Sequence, residues 1–68
     1  MFTNAIALLI NRGYLVVGHT PQQITLQKDN RVVVLTPTGK SNTCMLHHGD
    51  TQVKLNGTSG VNYIKANF

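Results

Sequence analysis

Apolar and polar positions alternate with two different periods along this chain. Among the first dozen residues, Phe2, Ile6, Leu9 and Ile10 recur at helical spacing, and Ala5 and Leu8 widen the stripe. The pattern predicts a helix over residues 3–12 or 4–12, with Thr3 or Asn4 capping the free amides of its first turn. Arg12 complements the negative carboxyl pole, and Gly13 supplies a left-handed stop. A helix this apolar must be largely covered, and the rest of the chain offers only a sheet to cover it.

From Tyr14 onward the period is two. Residues 14–19 are rich in β-formers and are broken by Thr20-Pro21. Residues 24–28 alternate apolar and polar. Asp29-Asn30 then offers a two-residue hairpin turn, because both residues tolerate positive φ. Residues 31–36 are the most β-prone stretch, and residues 37–40 form the next turn. Residues 44–48 and 51–55 flank Gly49-Asp50, where a leading glycine suits a type II′ hairpin. Residues 56–60 read as a longer loop and residues 61–68 as a last strand. The expected fold is α+β in one domain over residues 1–68. A short N-terminal helix packs on one face of a four- to six-stranded antiparallel sheet made of successive hairpins.

The turns fix registers, and the registers fix faces. With Asp29-Asn30 as the loop, Lys28 opposes Arg31, Leu26 opposes Val33 and Ile24 opposes Leu35, so Ile24, Leu26, Val33 and Leu35 share a core face. In the second hairpin Leu46 opposes Val53 and Cys44 opposes Leu55, again core. The opposite face carries Thr25, Gln27, Val32, Val34, Met45, His47, Gln52 and Lys54. A ten-residue helix is about 15 Å long and covers one sheet face only. Val32, Val34 and Met45, with His47, are therefore expected on a semi-apolar outer face. Either that face binds a partner or a second copy, with Tyr63 of the last strand beside it, or the sheet curls or the C-terminal segment folds across it.

Composition sharpens this picture in three places. At 68 residues the core is thin, and with Cys44 as the only cysteine no internal disulfide supports it. A lone cysteine fits a reducing compartment, and the apolar run 5–10 is too short to span a bilayer and lacks the flanks of a signal peptide, so a cytoplasmic protein (of the host, if phage-encoded) is expected and no membrane contact. Charge is scarce and one-sided: six Lys or Arg against two Asp, a net charge of +4. A basic body attracts phosphates or an acidic protein surface. The opposed Lys28 and Arg31, with Asn30 in their turn, are a candidate basic finger; Lys40, Lys54 and Lys65 are further candidate contacts. A solvated turn is the plain alternative.

Other chemistries find little support. Thr38-Gly39-Lys40-Ser41 lacks the earlier glycine and the following helix of a phosphate-binding loop. Cys44, His47 and His48 cannot converge from one strand, and no second ligand cluster exists, so no metal or other cofactor is expected. Asp29 and Asp50 both sit in tight turns, and alternation buries Cys44, which leaves no acid–base pair or exposed nucleophile. No small-molecule substrate and no catalysis are expected. Two functions remain: a basic protein contacting nucleic acid or a nucleoprotein, or a protein-interaction module. The second includes an inhibitor or adaptor from a phage or mobile element, acting in one form as a homodimer.

Overall fold

The computed structural model describes all 68 residues. Helix α1 (Phe2–Asn11) leads into five strands: β1 (Leu15–Thr20), β2 (Gln23–Lys28), β3 (Arg31–Pro37), β4 (Thr43–His48) and β5 (Thr51–Asn56). A second helix, α2 (Gly57–Asn67), ends the chain. The strands form one antiparallel sheet in the order β1-β2-β3-β4-β5, each pairing only with its sequence neighbours. This is the α+β meander that the alternation predicts.

Both predicted hairpin registers are present. Lys28 pairs with Arg31, Leu26 with Val33 and Ile24 with Leu35; Leu46 pairs with Val53 and Cys44 with Leu55. Asp29 (φ 54°) and Gly49 (φ 55°), the first residue of each two-residue turn, take the positive φ that such turns need. The resulting inner face, Ile24, Leu26, Val33, Leu35, Cys44, Leu46 and Leu55, is buried together with Ala5, Leu9, Tyr14 and Ile64.

Two boundaries at the start differ from expectation. Helix α1 begins two or three residues before the predicted caps. Met1 is its N-cap, no side chain caps it, and the Ala5 amide donates to the Met1 carbonyl at 2.8 Å. Starting there brings Phe2 against the core, so packing outweighs capping. Tyr14 precedes β1 rather than opening it; its amide closes the helix end on the Leu9 carbonyl at 3.0 Å, after Gly13 has turned the chain at φ 96°.

The larger correction is at the other end. Residues 56–68 were expected as loop and strand, and they form α2 instead. Gly60 and Ile64 are both buried, and Phe68 packs on the core; their spacing of four is a helical stripe. Gly60 is there because α2 presses onto β5. A Cβ at that position would lie 2.9 Å from Leu55 Cβ and 3.2 Å from its Cα, closer than nonbonded carbons approach.

Both helices lie on the inner face, α1 against β3 and α2 against β5 and α1. They also run in the same direction. Each begins beside the β3–β4 loop: the Met1 amine donates to the Ser41 carbonyl at 2.6 Å, and the Gly57 amide to the Asn42 carbonyl at 3.1 Å. Each ends above the β2–β3 turn. No helix is long and apolar enough to cross a membrane.

Candidate binding face

Because both helices share one side, the other side of the sheet has no cover. Its rungs follow from the pairing. Leu15 opposes Gln27, which opposes Val32. Thr25 opposes Val34, which opposes His47 and then Gln52; Thr36 opposes Met45 and then Lys54. Val34, Met45 and His47 are half-buried at the centre by their own neighbours, and Val32 is 44% exposed. Imidazole Nε2 of His47 lies 3.4 Å from the Thr36 hydroxyl, which fixes the ring across the face.

Strand β1 extends this surface further than the alternation suggests. Leu15 is 70% exposed and Val17 58% exposed. The register slips between Val16 and Gly18, and a bulge of that kind places an unpaired residue on the strand and increases its twist. The run Leu15-Val-Val17 carried the signal. A stretch apolar at consecutive positions cannot hide all its side chains under a helix that covers one face.

Tyr63 does not join this face. It sits on α2, on the helical side, with its hydroxyl 3.1 Å from His48 Nε2 and its ring 6.2 Å from that of Phe68. His48 in turn meets Phe68 edge to face at 5.0 Å. Tyr14 packs edge to face on Phe68 at 6.1 Å. All four of Tyr14, His48, Tyr63 and Phe68 thus belong to the helix-to-sheet layer, and none of them lies on the bare face of the sheet.

The basic finger is also used differently from the expectation. Lys28 and Arg31 are opposed as predicted, but they share parity with Leu26 and Val33 and so rise on the helical side. Lys28 Nζ donates to the Arg12 carbonyl at 2.7 Å, at the carboxyl end of α1. Arg31 donates to the Asn67 carbonyl at 2.8 Å, at the end of α2, with its guanidinium 4.6 Å from the Phe68 ring centre. Arg12 donates to the Lys65 carbonyl at 2.8 Å. Three cations thus satisfy carbonyls that helix ends leave unpaired and sit at the negative poles of both dipoles. Parity already contained this: a residue two positions from a core residue faces the core side.

The remaining candidates do not converge. Asn30 is exposed in the β2–β3 turn, Lys40 in the β3–β4 loop, Lys54 on the outer face and Lys65 on α2. Cys44 is fully buried, and loss of hydration pushes its thiol above the ordinary range, offset in part by the terminal ammonium. No three His, Cys, Asp or Glu side chains approach closely enough to share a metal. The largest hollow, about 450 Å³, lies between the amino ends of the helices and the β3–β4 loop. Asn4, Ser41, Asn42 and Thr58 line it with amides and hydroxyls, and no carboxylate, imidazole or thiol is present.

No protein-family model matches this chain, and neither a curated protein nor a solved structure does.

Proposed function

We propose that this chain is a non-enzymatic protein-interaction module, an adaptor or inhibitor that docks through the bare face of its sheet. One observation carries the reading: Val32, Val34 and Met45, with His47 among them and continued by Leu15 and Val17, form a semi-apolar centre that neither helix covers. Contiguous exposed apolar surface of this kind marks interaction sites. The face holds no carboxylate, and its one formal charge is Lys54, so it suits a partner protein with an apolar ridge flanked by acidic residues. A thiol that is buried and held protonated, with both carboxylates in turns, supports the non-enzymatic part of the reading.

Contact with nucleic acid is the second reading, and the charge distribution favours it. Asp29 and Asp50 both lie in the turns at one end of the sheet. Lys40, and Lys54 on the face, lie toward the other end, beside the amino poles of the two parallel helices. That end attracts phosphate.

The two readings separate by salt and by surface. A photocrosslinking residue at Val34 should capture a discrete protein in the cells that express the chain, and Val34→Asp or Met45→Asp should abolish it. Capture should survive 0.5 M salt. Binding of a random 30-mer DNA or RNA at 0.15 M salt, lost steeply with added salt and in a Lys40→Glu, Lys54→Glu variant but unchanged by Val34→Asp, would overturn the first reading in favour of the second.

A further inference from the structure

The two edges of the sheet are built differently. Edge strand β5 carries Lys54 among Thr51, Gln52 and Asn56, and α2 folds back over it. Charge and helical cover are the usual means of keeping an edge from pairing with another chain. Edge strand β1, Leu-Val-Val-Gly-His-Thr, has neither, and its one irregularity is the bulge between Val16 and Gly18. It contains no charged residue and no proline, and it pairs with β2 alone, so the backbone groups on its outer side have no strand partner.

The helical roof also stops short of β1. Val16 opposes the fully buried Leu26 and so belongs to the inner face, yet it is 45% exposed. On α1, Asn4, Ala7, Leu8 and Asn11 line the hollow toward Val61 of α2. Ile10, 48% exposed, lies one turn after Ile6 on the opposite flank, the side toward β1. Leu15, Val16, Val17 and Ile10 therefore make an apolar rim along an unpaired strand.

We propose that β1 pairs antiparallel with β1 of a second copy, across a twofold axis near Val17 and Gly18, joining the two sheets into one of ten strands. A free strand edge specifies an extended strand as its occupant, and a twofold axis makes that strand its own complement. Charge permits a second copy in this orientation. Two bodies of net charge +4 repel wherever their lysines meet. Lys54 stands four strands from the β1 edge, about 19 Å at the usual spacing, which exceeds the screening length of about 8 Å at physiological salt. Arg12 and Lys28 lie at the Leu15 end of β1. Antiparallel pairing sets that end against the partner's Thr20-Pro-Gln-Gln23 turn, which is uncharged. The proposal does not depend on the docking role of the outer face.

The test is the mass of the full chain by light scattering or sedimentation between about 1 µM and 1 mM, with circular dichroism verifying the fold of each variant. The wild type should form dimers. Leu15→Lys and Val17→Lys, both at exposed positions, should each raise the dimer dissociation constant more than tenfold. Val34→Asp on the outer face should leave it within threefold. A wild type monomeric at 1 mM overturns the proposal. So does a dimer that withstands both lysine variants, or one that only Val34→Asp disrupts, which would place the contact on the outer face instead. Should a lysine variant lose its fold, nuclear Overhauser contacts between labelled and unlabelled copies decide. Contacts along residues 15–20 support the pairing, and their absence in a dimer refutes it.

Discussion

Arg31 joins three parts of the molecule at one point. Its backbone belongs to β3, its guanidinium binds the last carbonyls of α2 at Asn67, and its flat face lies on Phe68. Truncation to alanine removes a charge-assisted hydrogen bond and a cation–π contact together, at partly exposed positions. Arg31→Ala should therefore lower unfolding stability by about 1–2 kcal/mol in a denaturant titration, and Lys28→Met, which removes the bond to the Arg12 carbonyl and a more distant contact with the Tyr14 ring, by about 1 kcal/mol or less. Lys40→Met is the matched control and should change nothing measurable, because its ammonium has no partner within the chain. Cys44 gives a different signature. Burial raises its pKa in the folded state, so the unfolded chain releases the thiol proton first. Its contribution is complete below the ordinary thiol range of about 8.5 and is lost as pH rises through that range toward the higher folded value. The denaturation midpoint should fall more steeply above that range in the wild type than in Cys44→Ala, although the variant starts from lower stability because of the cavity it leaves. Parallel slopes would show that the thiol is not desolvated in the native state.

At the scale of elements, alternation governs what each strand residue costs. Val32 and Val33 are neighbours with the same side chain, one 44% exposed and the other fully buried. Val33→Ala should cost about 1–3 kcal/mol and Val32→Ala under about 0.5 kcal/mol, measured by thermal or chemical unfolding. Equal losses would mean that the outer face is already covered. The same alternation made most of the sheet legible from sequence. Each two-residue turn sets a register, and each register assigns every side chain to a face. Helix α2 was not legible in that way. It opens with Gly57-Thr-Ser-Gly60, residues of poor helix propensity, and Gly57 at φ 51° looks like a turn because locally it is one. What makes these residues helical is the packing of Gly60 on Leu55, a contact with no local trace in the sequence. The Gly60, Ile64, Phe68 spacing was the available signal, and it is only three residues long. The basic residues show a different limit. Lys28 and Arg31 flank a turn, where charge usually means solvent, yet their parity places them beneath the helix ends, where they bond the Arg12 and Asn67 carbonyls.

Over the whole molecule, two parallel helices and a sheet without crossovers set an electrical and a mechanical asymmetry. Parallel helices add their dipoles. Arg12, Lys28 and Arg31 gather at the negative poles, and the amino poles share their end with Lys40 and a polar hollow that contains no acid. The mechanical asymmetry follows from the meander. Strands β2, β3 and β4 each hold two ladders, and β5 has one ladder together with α2 packed on it, whereas β1 has one ladder and no helix above it. In native-state hydrogen exchange at a concentration where the chain is monomeric, amides of residues 15–20 and of the adjoining turn should open at lower free energy than those of β3 and β4, and Val17→Lys should leave that difference in place. Tyr14, whose amide closes the end of α1 on the Leu9 carbonyl, immediately precedes Leu15 of β1. The strand with one ladder and no helix above it is thus tied through Tyr14 to the closing turn of the first helix, so loosening at residues 15–20 reaches that turn before it reaches the inner strands.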